Sequence, residues 1–348
     1  MVRRLVSLDV MRGLTVFLMI LVNNGVGHEQ FTELQHSKWD GLTLCDLVFP
    51  FFLFMVGVSV WLAHKRLTPQ KIVSRTIRLF LVGVLLHVWD MLLDGQWAFW
   101  HEVRLWGVLQ RIALCYCAAA LLVLYVKPQR LVYCIAALLA GYAALLYFGH
   151  GYSPDETNVL CRADRWLVGQ AHLYHKSPID PEGLLGTIPS IAHTLIGVLV
   201  GRGLGASESL RSLKSLKFIG AAMFFVGLAL SLWLPLNKRI WSPSYVLVTC
   251  GLATLLLLML VWLVDMEGNN RWCRLFQMFG MNAFFLYVLS EMLAPVVSHF
   301  GANHTIYEAM LSGGFDPRMA SLCYALLFDS LIAIVAWTLW RYKIFVKV

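Results

Sequence analysis

Long apolar stretches separated by short hydrophilic segments dominate the pattern of the chain. A helix that crosses a bilayer needs about 20 mostly apolar residues, so this pattern predicts about ten transmembrane helices. Backbone groups in lipid must pair within their own segment, which makes helices the expected structure of such stretches. The predicted spans are residues 8–26, 44–64, 77–94, 106–126, 131–149, 184–204, 216–235, 244–264, 275–297 and 319–341. Because their connections are short, we expect one all-α integral membrane domain over residues 1–348.

The Lys and Arg residues indicate how the spans are oriented, because cytoplasmic loops of membrane proteins carry more of them. With the N-terminus inside, the inner segments carry about twice as many Lys and Arg residues as the outer ones. An even number of spans returns the C-terminus to the inside, and Arg341 and Lys343 in the tail agree. We therefore predict a multi-pass inner-membrane protein with both termini cytoplasmic. The outer basic residues include Lys38, Arg162, Arg165, Lys176, Lys238 and Arg239.

Composition supports the membrane assignment and limits the classes of partner that we expect. Hydrophobic residues make up 59% of the chain and charged residues 14%, whereas a soluble domain carries about 25% charged residues. The net charge of +8 would otherwise suggest nucleic acid, but the basic residues collect on one side of a bilayer and we expect no nucleic-acid partner. His172 and His175 lack a third ligand at fixed spacing, so we expect no metal site.

Several ionisable residues fall inside the predicted spans, where charge is costly and usually marks function. Asp9 and Arg12 lie three positions apart on one helix face, which also allows a local structural ion pair. These groups fit a transporter, a proton relay or a membrane enzyme without choosing among them. The full set is Asp9, Arg12, Asp46, His87, Asp90, Arg111, His193, Glu291 and Asp329.

The most informative outer segment contains His36 and leads to Asp46 at the head of the second span. Asn23 ends the first span, so the three side chains could converge at the outer water layer. A histidine can accept a proton from an amine or hydroxyl near neutral pH. A carboxylate would fix its tautomer, and an amide could hold the attacking group or an acyl oxygen. The alternative is an interfacial histidine bonded only to its own loop.

The chain resembles the heparan-alpha-glucosaminide N-acetyltransferase family of transmembrane acyltransferases and its shorter bacterial homologues, some of which are described as N-acetylglucosamine-related transporters. The residues that carry the resemblance occur in family order along most of the chain. They are SLDVMRG at 7–13, VNNG at 22–25, the stretch 36–54, GVLQR at 107–111, DPEGLLGT at 180–187, NKRIWSPSY at 237–245 and GMN at 280–282.

The resemblance implies transfer of an acetyl group from cytosolic acetyl-CoA, as co-substrate, to the amine of a glucosamine-type sugar on the periplasmic side of a bacterial inner membrane. It places the active-site histidine on His36, an aspartate on Asp46 and an asparagine on Asn23, with Asn24 as the alternative. It also implies a homodimer. By comparison with the lysosomal enzyme, we expect this chain to lack the lumenal domain that precedes the membrane domain, and to have a slightly longer loop between Asn23 and His36, which leaves substrate size open.

These implications require a co-substrate that reaches through the helix bundle from the inner face. Guanidinium groups suit phosphate, so we expect the nucleotide phosphates near Arg12, Arg75, Arg78 and Arg274. Direct attack of the amine and a covalent acyl-histidine intermediate both remain open. The rival function is an amino-sugar transporter without chemistry, although the inverted repeats of many transporters are not evident. A structural membrane scaffold is the third reading.

Overall fold

A computed structural model describes residues 5–174, 177–205, 210–268 and 271–346, so His175 and Lys176 lie outside the described residues. Within these ranges the chain is helical and has no strand. The α-helices are α1 (Val6–Asn23), α2 (Leu44–Leu62), α3 (Pro69–Leu93), α4 (Val108–Tyr125), α5 (Leu131–Phe148), α6 (Val159–Val168), α7 (Thr187–Gly205), α8 (Leu210–Leu230), α9 (Pro243–Leu260), α10 (Arg274–Met281), α11 (Ala283–His299), α12 (Ala302–Ser312) and α13 (Pro317–Arg341).

Within the described ranges, nine helices are long and apolar enough to cross a membrane, and α10 with α11 makes up to ten if that bent pair is one span. This confirms the prediction of an all-α membrane bundle, while the cytoplasmic location of both termini stays a prediction. The third span begins at Pro69 rather than at residue 77. Thr68 caps it by accepting a bond from the Lys71 N–H, and proline is well suited to a first helical turn.

The predicted span 275–297 corresponds to two helices, because α10 and α11 meet at an angle of 83°. Asn282 separates the two helices and bonds to the C-terminal tail on both sides of its amide. Its Nδ2 donates to the Ile344 carbonyl at 3.0 Å, and its Oδ1 accepts from the Val346 N–H at 2.9 Å. Hydropathy is unbroken across this segment, so the bend depends on contacts that the apolar pattern cannot show.

α2 and α7 pack against each other at backbone contact. A Cβ added at Gly57 would collide with the Thr194 carbonyl, and one added at Gly197 would collide with the Phe54 carbonyl. Small residues at such positions let two membrane helices approach to backbone contact, which strengthens their packing. α2 is therefore held along its length, and it carries Asp46 at its first turn.

Candidate active site

His36 and Asp46 form a hydrogen-bonded pair at the start of α2. Asp46 is fully buried, and its Oδ1 lies 2.8 Å from His36 Nδ1. Its Oδ2 accepts from the N–H groups of Ser37 at 3.1 Å and Thr43 at 3.2 Å. The second of these belongs to a capping box, in which Thr43 also accepts from the Asp46 N–H. The local sequence thus fixes the carboxylate and aims one oxygen at the imidazole.

This pairing sets the tautomer of His36. An ionised carboxylate only accepts hydrogen bonds, so Nδ1 carries the proton and donates it to Asp46. Nε2 is then left with a lone pair. The imidazole is 52% exposed, and a half-exposed ring with a free lone pair can receive a proton from a substrate. Cys45 Sγ lies 3.1 Å from Nδ1 on the other side of the pair.

Pro50 inside α2 ties this end of the helix to α9. A proline has no N–H, so the carbonyl four positions earlier in a helix loses its partner. In α2 that carbonyl belongs to Asp46, and it accepts a 2.6 Å bond from the buried hydroxyl of Tyr245. The proline therefore frees an acceptor at the site, and Tyr245 uses it to hold the Asp46 backbone.

Lys238, predicted from the sequence to be one of the basic residues outside the membrane, contacts the same imidazole. Its Nζ lies 3.0 Å from His36 Nδ1, 3.3 Å from Nε2 and 3.7 Å from Asp46 Oδ1. Because Nδ1 is engaged with Asp46, the ammonium donates toward Nε2. The only available signal was its position inside the 237–245 motif, since nothing in the sequence showed that this loop returns to His36.

Asn23 is not joined to this pair. It is exposed at the end of α1, and its Nδ2 donates to Glu291 Oε1 of α11 at 3.1 Å. In the part of the chain that the structure describes, no hydrogen bond connects Asn23 with His36 or Asp46. Asn24, the alternative, is buried and donates to the Ile20 carbonyl at 2.8 Å. A role for Asn23 in the reaction therefore stays a prediction.

A cavity of about 390 Å³ lies between α1, α2, α3, α4 and the α10–α11 bend, and Arg12 and Arg75 both line it. Arg12 bonds to Asp9 Oδ1 at 3.2 Å and donates to Ser59 Oγ at 3.0 Å. Arg75 lies over the ring of Tyr116 at 4.8 Å. The structure brings these two of the four predicted arginines together around one volume.

Arg78 and Arg274 are not among the described residues that line this cavity. Arg78 is exposed, and its Nε donates to the Ser74 carbonyl at 3.3 Å. Arg274 is exposed beside the ring of Trp340, 5.8 Å from its centroid. The sequence indicated basic residues near the inner ends of the helices, but it could not show which of them face the cavity.

α2 connects the two parts of the site. Asp46 lies in its first turn, and Phe52, Met55, Val56, Ser59 and Val60 of the same helix line the cavity. The six positions from Asp46 to Phe52 correspond to about 9 Å along a helix axis. The described residues that line the cavity do not include His36, Asp46 or Asn23.

A family model described as "Heparan-alpha-glucosaminide N-acetyltransferase, catalytic" matches residues 4–236. The chain belongs to this family. The heparan-alpha-glucosaminide N-acetyltransferases of Homo sapiens and Mus musculus are each 28% identical to it, in alignments that cover 99% of this chain and 60% of each relative. The chain thus spans about 60% of the length of these relatives.

The family match covers six of the seven predicted functional positions, including the pair at the start of α2. Asn23, His36, Asp46, Arg12, Arg75 and Arg78 fall inside residues 4–236, whereas Lys238 and Arg274 follow that segment. The alignments with the two N-acetyltransferases extend over nearly the whole chain and so include the loop of Lys238.

An ion-pair cluster of Arg104, Asp180 and Glu182 adjoins the site. Arg104 donates to Asp180 at 2.5 and 3.1 Å and to Glu182 at 2.6 Å. Burial opposes ionisation of Glu182, but the charges of Arg104, Arg111 and Lys238 outweigh it and lower the pKa of this carboxyl. Glu182 is therefore an ionised neighbour of Lys238 and links the segment between α6 and α7 to the His36 site.

Of the two histidines that the sequence offered as a metal pair, the structure describes His172 and not His175. His172 Nδ1 donates to the Val103 carbonyl at 2.8 Å and so braces the segment that carries Arg104. His175 lies outside the described residues.

Asp164 of α6 gives a pH-dependent prediction. Burial raises the pKa of the Asp164 carboxyl to about 6. The hydrogen bond from the Leu184 N–H opposes this shift, and the charges of Asp180 and Arg111 have smaller effects. Because the pKa is higher in the folded state, the protonated carboxyl contributes to stability at a pH below its pKa in the unfolded chain. This stabilisation is lost as the pH rises through about 6. We expect Asp164→Asn to raise the free energy of unfolding by about 1–3 kcal/mol at pH 7.5 relative to wild type, and by much less at pH 4.

Thermal unfolding of both proteins in detergent at the two pH values measures this difference. Glu156→Gln is the control, because Glu156 is fully exposed and its ion pair with Arg165 lies at the surface. A gain for Asp164→Asn that is equal at pH 4 and pH 7.5 would contradict the assignment.

Proposed function

We propose that this protein transfers the acetyl group of acetyl-CoA to the amine of a glucosamine-type sugar across a membrane. The observation that carries the proposal is the half-exposed His36, oriented by a buried Asp46 on the same helix that lines the arginine-bearing cavity. Membership of the N-acetyltransferase family supports it independently. The donor is taken from the cytoplasm, and the acceptor lies on the periplasmic side of an inner membrane.

His36 serves as the general base. The acceptor nitrogen attacks the thioester carbonyl, a C–N bond forms, and the C–S bond breaks. The proton of the attacking nitrogen passes to His36 Nε2 and is then given to the departing thiolate, which leaves as CoA. Asp46 stabilises the imidazolium that exists between these two transfers. In the covalent variant, Nε2 attacks the thioester first and the sugar amine then takes the acetyl group.

The cavity is the proposed path of the pantetheine arm. Arg12 and Arg75 on its wall would hold the phosphates, since guanidinium groups pair well with them. Arg78 and Arg274 are proposed to act outside the cavity by attracting the anionic nucleotide rather than by holding it. Asn23 is proposed to contact the acceptor, because its exposed amide lies at the outer end of α1.

The test uses purified protein in proteoliposomes with labelled acetyl-CoA on one side and glucosamine on the other. We expect N-acetylglucosamine and free CoA to appear in equal amounts, detected by mass spectrometry. Transport of labelled amino sugar without any release of CoA would replace this proposal with the transporter. Absence of both product and transport across a panel of amino sugars would overturn it.

The arginines of the cavity give a prediction for the donor. Arg75→Met is expected to raise the KM for acetyl-CoA about 10–100-fold, because a charge-assisted phosphate contact contributes about 1.5–3 kcal/mol. The kcat at saturating donor should stay close to wild type. Initial rates over a range of acetyl-CoA concentrations measure both constants.

Arg78→Met is the matched control, since Arg78 is one turn away on the same helix but outside the cavity lining. Its effect on KM should be smaller and should fade as salt is added. An equal KM for Arg75→Met and wild type would remove Arg75 from donor binding.

A further inference from the structure

The position of Lys238 is unusual for a lysine in an outer loop. Its side chain is only 13% exposed, and its distance of 3.7 Å from Asp46 Oδ1 is longer than a hydrogen bond. The two nitrogens of His36 are nearer to Nζ than this oxygen, at 3.0 and 3.3 Å. Lys238 therefore contacts the imidazole directly, in addition to its longer ion pair with Asp46.

The loop that carries Lys238 is rigidly held. Asn237 is fully buried, its Nδ2 donates to Asp40 Oδ1 at 3.2 Å, and its Oδ1 accepts from the Ile240 N–H at 3.2 Å. Its own N–H donates to Ser242 Oγ at 3.1 Å. The ammonium is thus delivered to His36 from a fixed backbone, which is the condition for a preorganised catalytic donor.

We propose that Lys238 is a catalytic residue that binds the acyl oxygen during acetyl transfer. The inference rests on the proposed function. The attacking nitrogen must come within hydrogen-bond distance of His36 Nε2, and Nζ lies 3.3 Å from that same atom. A thioester carbonyl attacked at this point therefore has its oxygen within reach of the ammonium.

The chemistry of the step requires such a donor. As the C–N bond forms, the carbonyl π electrons move to the oxygen, which becomes an oxyanion, while the amine proton goes to Nε2. When the oxyanion collapses, the C–S bond breaks and the thiolate takes the proton from Nε2. The Lys238 N–H bond to the oxygen strengthens as negative charge develops, which lowers the barrier without consuming a proton.

The Lys238–His36 contact also implies, under this proposal, an order of events. Before the substrate binds, the ammonium covers the Nε2 lone pair. The incoming amine takes that place, and Lys238 turns its N–H toward the acyl oxygen. Asp46 and Glu182 keep the local charge balanced, because both are carboxylates within the electrostatic reach of Lys238.

The test compares Lys238→Met with wild type and with Arg239→Met in the acetyl-transfer assay. We expect Lys238→Met to lower kcat about 100–1,000-fold, the usual effect of removing one oxyanion donor, with the KM for acetyl-CoA changed less than about threefold. Arg239→Met removes a neighbouring charge whose guanidinium bonds to Ser177 Oγ at 3.2 Å. It should keep kcat near wild type.

Lys238→Arg and Lys238→Leu separate the donor from the fold. The arginine variant keeps a cationic donor and should recover kcat to within about tenfold of wild type, whereas leucine, which has no N–H donor, should resemble methionine. Should Lys238→Met fail to fold, the leucine variant carries the same test. A neutral variant that folds and retains wild-type kcat, or one whose loss is entirely in KM, overturns the proposal. Wild-type protein without acetyl transfer would instead refute the proposed function.

Discussion

Replacing His36 by alanine is expected to lower acetyl transfer at least about 100-fold and up to about 10,000-fold, the range that a positioned general base contributes. The physical reason is the loss of the proton acceptor that the Asp46 carboxylate orients. The variant should bind acetyl-CoA as wild type does, because His36 does not line the cavity. Initial rates with acetyl-CoA and glucosamine, together with equilibrium binding of CoA, measure the two properties separately.

The matched control is His304→Ala. His304 of α12 is 70% exposed, and its contact with Glu308 at 3.6 Å is a surface pair of little energetic weight. Its turnover should equal that of wild type. If His36→Ala turned over within about threefold of wild type, His36 would not act as the base in this reaction. Loss of CoA binding in the variant would show instead that the imidazole supports the cavity.

The sequence predicted the bundle because hydropathy reports on each span by itself. The start of α2 was also readable, since Thr43 and Asp46 have the spacing of a capping box and His36 precedes them in the same outer segment. These residues are close in sequence, so the hydrogen bonds of the helix cap are enough to place them. The structure adds that the second carboxylate oxygen of Asp46 is left facing the imidazole.

Contacts between distant parts of the chain were not predictable in this way. Lys238 and His36 are 202 positions apart, and Asn23 and Glu291 are 268 positions apart. Both pairs depend on how α9 and α11 pack against α1 and α2, and the apolar pattern of a membrane helix does not show which side faces which neighbour. For the same reason the sequence did not separate Arg75, which lines the cavity, from Arg78.

Asp46→Asn is expected to lower kcat by about 100-fold to 10,000-fold, a range set by the loss of a histidine's orienting carboxylate in hydrolytic triads. Asparagine has nearly the same shape and can still accept the bond from the Thr43 N–H. Its amide, however, must share its one oxygen between that N–H and the imidazole. When the NH₂ group faces His36, Nδ1 becomes the acceptor and the proton moves to Nε2, so the base has no lone pair for the substrate.

The capping role of Asp46 must be separated from its role at His36, and Thr43→Ala does this. That variant loses the N-cap of α2 and should lose about 1 kcal/mol of stability, yet it leaves the carboxylate charge and the His36 bond in place. We expect its kcat per folded molecule to stay within about threefold of wild type. Equal kcat losses in Thr43→Ala and Asp46→Asn would mean that helix capping alone explains the effect. A large loss confined to Asp46→Asn requires the charged carboxylate, since the cap and the packing around it are otherwise the same.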